Sequence, residues 1–211
     1  MALGLVLPIV LIGDPDYPAT EWRRAAVWLT VAPVIGAATL QLRRRAEAAQ
    51  REVTQLARTD ALTGCLNRRG LHEVAARELV RIRRTGSPMA VVLLDLDHFN
   101  RFNDTHGHDA GDGLLHDAAA AWQQTLREVD ILARWGGEEF VVLLPDTTPD
   151  AAALILDRLR TGTPLGQTCS VGVACMERAA AGDALVDGIR RADAALYEAK
   201  GTGRDRIVVA E

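Results

Sequence analysis

Residues Ile131–Leu144 read ILARWGGEEFVVLL, two apolar stretches parted by a pair of glycines and a pair of glutamates. Ile131–Trp135 and Glu138–Leu144 have the length and the β-branched and aromatic content of strands. Gly136-Gly137 between them is two-residue turn chemistry, so the stretch predicts a β-hairpin. Upstream, Met89–Asp95 is a continuous apolar run, as in a strand buried on both faces. Between run and hairpin, Leu115, Ala118, Trp122 and Leu126 recur at helical spacing. Downstream, the pattern predicts a helix over Ala151–Arg160, a strand over Thr168–Cys175 and a helix over Ala184–Lys200, with Leu185, Ile189, Ala192 and Leu196 as its buried stripe. A helix near Arg69–Thr85 precedes this set, and Ile207–Val209 can add an edge strand. The central order is β-α-β-β-α-β, which predicts an α+β, ferredoxin-like domain.

In that plan the first strand lies beside the strand that follows the turn. Asp95 and Asp97 end the first strand, and Glu138 and Glu139 stand just past the turn, so the four are brought toward one end of the sheet. Alternation turns Glu138 and Glu139 to opposite faces, so only part of the set need share a site. Two or three carboxylates and a backbone carbonyl are what Mg²⁺ takes when it also carries substrate phosphates. Either acidic pair alone would read as a solvated turn.

The chain has 211 residues, which suits one medium domain and a smaller element. Its formal net charge of -4 provides no basic excess, which argues against a nucleic-acid partner. Cys65, Cys169 and Cys175 lack metal-ligand spacing and read as reduced thiols, and His98, His106, His108 and His116 form no ligand set. Of 24 basic residues besides histidine, Lys200 is the lone lysine.

The N-terminal part is a different material. Ala25–Leu42 runs 18 residues without a charge, which as a helix spans roughly 27 Å, close to a bilayer's hydrocarbon core. Met1–Gly13 is a second apolar run and a candidate first span, though short for one. Arg43, Arg44, Arg45, Arg51 and Arg58 follow the longer run, against Arg23 and Arg24 before it, an asymmetry that places the C-terminal side in the cytoplasm. Leu42, Ala46, Ala49, Val53 and Leu56 then fall at the 4-3-4-3 spacing of a coiled-coil seam. The expected organisation is a membrane-anchoring segment over 1–42, a coiled-coil signalling helix over 43–59 and the α+β domain over 60–211.

Gly136-Gly137-Glu138-Glu139-Phe140 resembles, in its GGEEF form, the signature of the GGDEF family of diguanylate cyclases, and four further motifs follow the same family in order. Asp60-Ala61-Leu62-Thr63-Gly64 with Asn67-Arg68-Arg69 is similar to its opening motif, and Asp95-Leu96-Asp97-His98-Phe99 to its first-strand motif. Asn103-Asp104, Gly107-His108 and Gly111-Asp112 resemble its guanine-binding stretch. Arg191–Tyr197 with Lys200 and Gly203-Arg204 resembles its closing motif.

The resemblance implies a palm-type domain that condenses two GTP into cyclic di-GMP, releasing pyrophosphate, as a homodimer at the bacterial inner membrane with the catalytic domain in the cytoplasm. It implies Mg²⁺ or Mn²⁺ held by Asp95, the Leu96 carbonyl, Glu138 and Glu139, with Glu138 also the catalytic group that helps deprotonate the attacking hydroxyl. Phe99, Asn103 and Asp112 are implied on the guanine side. Gly136, Gly137, Lys200 and Arg204 are implied along the phosphates. Arg127-Glu128-Val129-Asp130, ending shortly before the hairpin, is similar to the family's RxxD site, at which cyclic di-GMP inhibits. Two departures stand out: Asn100 occupies a position where the family commonly has lysine, and the stretch from Arg160 to Thr168 is short. The alternative is a catalytically weak domain acting as a GTP or cyclic di-GMP receptor.

Overall fold

The computed structural model describes residues 31–45, 57–176 and 184–210. The chain divides into two units, Met1–Leu56 and Ala57–Glu211. In the first, residues 31–45 are helical, and the apolar side chains of Val34, Ile35, Leu40 and Leu42 are exposed. No helix among the described residues is long and apolar enough to cross a membrane. Residues 25–30 of the expected span, all of Met1–Gly13 and the seam positions Ala46, Ala49, Val53 and Leu56 lie outside the described residues.

The second unit is a six-stranded sheet with helices on both faces. In chain order its elements are β1 Leu66–Asn67, α1 Arg68–Thr85, β2 Met89–Leu96, α2 Phe99–His106, α3 His108–Thr125, β3 Ile131–Gly136, β4 Glu139–Pro145, α4 Pro149–Thr161, β5 Cys169–Met176, α5 Ala184–Gly201 and β6 Ile207–Val209. The strand order is β1-β3-β4-β2-β5-β6. β2, β3, β4 and β5 pair antiparallel, while β1 and β6 join the two edges in parallel. The inner four strands with α3 and α4 are the expected β-α-β-β-α-β plan.

Alternation along the strands builds two cores. Ala90, Val92 and Leu94 of β2, with Phe140, Val142 and Leu144 of β4, face α3 and α4. Trp122 lies at the centre of that layer, edge-on to Phe140 at 5.0 Å between ring centroids, and its indole N–H donates to the Leu159 carbonyl at 3.0 Å. The alternate residues Met89, Val91, Leu93, Val141 and Leu143 pack against α1 and α5. At Gly172 a Cβ would stand 2.1 Å from the Ala192 carbonyl oxygen, so this glycine lets the backbone of α5 lie directly on β5.

Local signals set the ends. The Asn67 side chain accepts from the Gly70 N–H at the start of α1, and Gly86, with φ 72°, closes it in the left-handed region. Thr148 caps α4, with Pro149 at its first position. The expected helices and strands are present with bounds shifted by one or two residues. Two elements had not been expected, the short α2 and the two-residue β1.

Candidate active site

The turn of the hairpin sits one residue later than expected. β3 continues through Gly136, which pairs with Glu139, and the loop residues are Gly137 and Glu138. The ladder shifts between Arg134 and Gly136, so β3 carries one more residue than β4 there. This bulge at Trp135 carries the strand one position further. Gly137 has φ 53°, the left-handed geometry that favours glycine, and a Cβ at Gly136 or Gly137 would meet nothing within 4 Å. The space over both glycines is therefore open.

Beside the turn, β2 and β4 place Asp95 directly opposite Glu139. Both lie on the face of the sheet that α5 covers, and the last turn of α5 brings Lys200 there. The Lys200 ammonium meets the Asp95 carboxylate at 2.7 Å. Asp95 is 5% exposed, and burial pushes its carboxyl up to about 6, against the pull of Lys200 and with the like charges of Glu138 and Glu139 pushing the same way. The Leu96 N–H donates to the Glu138 carbonyl at 3.4 Å, which ties the end of β2 to the turn. Asp95, Leu96, Glu138 and Glu139 are thus brought to one end of the sheet.

These groups fit the divalent cation that the family resemblance implies. The donors are hard oxygens, and a buried carboxylate with two acidic neighbours and one ammonium is short of positive charge. Mg²⁺ usually takes one or two carboxylates and completes its shell with substrate phosphates and water. Among the described residues no group of three or more His, Cys, Asp or Glu side chains is gathered as a metal site.

Asp97, two residues on, does something else. Its carboxylate accepts from Thr168 Oγ1 at 2.7 Å, Ser170 Oγ at 2.6 Å and the Asp205 N–H at 3.1 Å. The second acid of the Asp-x-Asp pair is therefore built into the frame. Arg204, in the turn after α5, has φ 62° and donates its N–H to the Ala199 carbonyl.

The expected guanine-side residues lie on α2 and α3. Asn103 stands over Gly111, where a Cβ would come within 1.8 Å of Asn103 Oδ1. That oxygen is buried and without a hydrogen-bond partner among the described residues, an acceptor left to something else. Asp112, on the next residue of α3, is exposed. Phe99 differs from these: at 8% exposure it belongs to the core beneath α3. Asn100 is exposed on α2.

The opening motif braces the turn, a role that strand and turn patterns did not reveal. Arg134 Nη1 meets Asp60 Oδ1 at 3.1 Å, and Arg134 Nε donates to the Gly137 carbonyl at 2.9 Å. Burial works against the charge on Asp60, but hydrogen bonds from Thr63 and Arg134 hold its carboxyl below the usual carboxylate range.

At the other end of the hairpin, Arg127 and Asp130 hold each other. Arg127 Nη2 reaches Asp130 Oδ1 at 2.7 Å, Nε reaches both carboxylate oxygens, and the Arg127 N–H donates to Oδ2 at 2.8 Å. Nη2 also donates to the Pro145 carbonyl at 3.2 Å and to Thr147 Oγ1 at 2.8 Å. The Asp130 side chain is fully buried, while that of Arg127 is 49% exposed.

Residues 57–206 match the family model described as "Diguanylate cyclase, GGDEF domain". Diguanylate cyclase DgcP of Pseudomonas aeruginosa is 46% identical over 166 residues, which cover 74% of this chain and 24% of that protein's length. Among solved structures, diguanylate cyclase SiaD of P. aeruginosa, in complex with its activator SiaC, matches with a TM-score of 0.67 at 34% identity, over 90% of this chain and 76% of SiaD. The GGDEF domain of DgcB from Caulobacter crescentus, in complex with c-di-GMP, matches with a TM-score of 0.66 at 30% identity, over 72% of this chain and 95% of DgcB's domain. With its sheet order, its glycine turn and its acidic strand end all in one frame, the chain belongs to the GGDEF-domain family of diguanylate cyclases.

Proposed function

We propose that this protein condenses two molecules of GTP into cyclic di-GMP and releases two pyrophosphates. The observation that carries this reading is the strand end at which Asp95 faces Glu139 beside a glycine turn with open space above it and Lys200 at its side. In each half-reaction the 3′-oxygen of one GTP bonds to the α-phosphorus of the other, the bond to pyrophosphate breaks, and Glu138 helps take the hydroxyl proton. Asp95, the Leu96 carbonyl, Glu138 and Glu139 would hold Mg²⁺ or Mn²⁺, which neutralises phosphate charge and polarises the α-phosphorus. Gly136 and Gly137 let backbone approach the triphosphate. Lys200 and Arg204 grip the β- and γ-phosphates, with Lys200 exchanging Asp95 for substrate. Asn103 and Asp112 read guanine, whose N1–H and 2-amino donors suit a carboxylate and whose acceptors suit an amide. The core position of Phe99 leaves it the task of seating α2 beneath that pocket.

The product is two-fold symmetric, and one domain offers one GTP and one 3′-hydroxyl, so two domains must face each other. The seam from Leu42 to Leu56 holds two chains together for this. The uncharged run Ala25–Leu42 anchors them in the inner membrane, with the arginines that follow it in the cytoplasm. Exposed Val34, Ile35, Leu40 and Leu42 support that assignment, since apolar side chains along a helix need lipid or a partner to cover them. Arg127 and Asp130 bind the product as an inhibitor. They stand at the opposite end of the β3–β4 hairpin from Gly137, so ligand there can hold the turn away from the partner domain.

Incubating the full chain with GTP and Mg²⁺ and identifying the products tests the reaction. Cyclic di-GMP with pyrophosphate, and no reaction with ATP, is the expected result. A 3′,5′-cyclic mononucleotide, or unchanged GTP at every protein concentration, would sink the synthase reading. Asn100 favours the receptor alternative, and cyclic di-GMP or GTP bound without turnover in that incubation would establish it.

A further inference from the structure

We propose that Asp97 is a positioning residue for the triphosphate end of the site, acting through the turn that carries Arg204. The inference rests on the phosphate-gripping role given to Arg204 above. Asp97 is 3% exposed and its carboxylate faces hydroxyls and a backbone N–H. Through them it joins the end of β2, the start of β5 and the segment after α5. A further bond, from the Asp97 N–H to the Thr168 carbonyl at 2.9 Å, fixes Asp97 itself.

The segment it holds needs holding. Gly203, Arg204 and Asp205 have φ values of 123°, 62° and 45°, three residues in succession at positive φ, two of them not glycine. Such conformations persist only where surrounding contacts impose them. Four contacts do so here, one of them from Arg206 Nε to the Arg204 carbonyl at 3.0 Å. The Arg204 N–H donates to the Ala199 carbonyl, the Asp205 N–H donates to Asp97, and the Asp205 carboxylate meets Arg160 at 2.6 Å. Of the two carboxylate tethers, the Asp97 bond is the one made by a buried carboxylate, since Arg160 and Asp205 are both partly exposed. Without it, the turn relaxes toward negative φ and the Arg204 side chain leaves the phosphates.

The two acids of the Asp-x-Asp pair thus divide the work on α5 and its turn. Asp95 engages the side-chain cation of Lys200, and Asp97 engages the backbone beside Arg204. This also predicts which chemistry position 97 requires. An asparagine keeps one carboxamide oxygen for the Asp205 N–H, and the Ser170 hydroxyl can turn to accept from its NH₂ group. A metal ligand would not tolerate that exchange, but a hydrogen-bond acceptor does.

The test measures binding of two ligands to the full chain by calorimetry: a GTP analogue with a methylene bridge between the α- and β-phosphorus, and GMP. Asp97→Ala should weaken the analogue about tenfold and GMP less than twofold, because only the analogue reaches Arg204. Asp97→Asn should bind both within about threefold of wild type and keep turnover. In an Arg204→Ala background, adding Asp97→Ala should cost nothing further for the analogue, as residues acting through one another are non-additive. Arg160→Ala, which cuts a tether at the surface, should show the same preference for weakening the analogue in smaller measure, and decides the matter if Asp97→Ala does not fold. Equal weakening of both ligands, full additivity with Arg204→Ala, or loss of turnover in Asp97→Asn would overturn the proposal. If Arg204→Ala itself leaves the analogue unaffected, the phosphate role of Arg204 fails first, and the inference with it.

Discussion

Two cation–carboxylate contacts of the same length, 2.7 Å, stand at the two ends of the β3–β4 hairpin. Lys200 meets Asp95 with one ammonium, and the carboxylate, buried beside Glu138 and Glu139, is still pushed up to about 6. Arg127 meets Asp130 through three nitrogens, its own backbone N–H among them, and also holds Pro145 and Thr147. Distance alone makes the pairs look alike, yet one is undersupplied with positive charge and the other is saturated. In the proposed function the first is where phosphates and a metal would enter, and the second is a structural joint whose half-exposed guanidinium would meet the product.

The sharpest way to break this comparison is to remove one member from each end. Asp95→Ala and Glu138→Ala should each lower cyclic di-GMP synthesis by roughly a thousandfold or more while leaving the circular dichroism spectrum unchanged. Turnover surviving in Glu138→Ala would mean that the carboxylates at the strand end are not the reacting ones. Arg127→Ala should instead cost stability, about 2 kcal/mol, because the buried Asp130 carboxylate loses its side-chain donors. Its thermal midpoint should therefore drop by several degrees while its initial rate stays near wild type and falls less as product accumulates. An unchanged midpoint would show that the joint is ornamental, and identical progress curves that product does not bind there.

A milder effect concerns concentration. Specific activity of a fragment beginning at Thr59 should rise with protein concentration, and less so for one beginning at Leu42, whose seam raises the effective concentration of the partner. Rates independent of concentration in both would remove the seam from the account. The smallest expected effect is one of pH. Because Asp95 takes up its proton more readily folded than unfolded, the folded metal-free protein holds a proton between about pH 4 and 6 that the unfolded chain has lost. Its contribution to stability therefore falls as pH rises through that window. Asp95→Asn should match wild type near the acid end and exceed it at neutral pH in metal-free buffer. A constant difference across the window would place the raised acid elsewhere.

Much of this was legible in the sequence, and the failures have physical reasons. Apolar runs and the glycine pair located β2, β3 and β4, and the topology then put Asp95 next to the turn glutamates. The turn itself was misplaced by one residue because a bulge at Trp135 leaves no mark in hydrophobic alternation. Phe99-Asn100-Arg101-Phe102-Asn103 is too polar and short for a helical stripe, so α2 went unread, and β1 is two residues long. Asp97 looked equivalent to Asp95 because two-residue spacing puts side chains on one face. The strand ends at Leu96, however, and beyond it the pleat no longer governs direction. The bond of Arg134 to Asp60 spans 74 positions of sequence, and no local pattern encodes it.

The two parallel edge strands have a consequence of another kind. A sheet edge with unpaired peptide groups invites strands from neighbouring molecules, the more so where chains are crowded together. Here the inner antiparallel ladder is flanked by β1, two residues long, and β6, three residues long. On the β1 side, Asn67 spends its amide on the carbonyls of Ala57 and Thr59. Among the described residues neither margin offers a length of open backbone on which an incoming strand could settle. Margins this short give fibril growth little to start on, even at high local density.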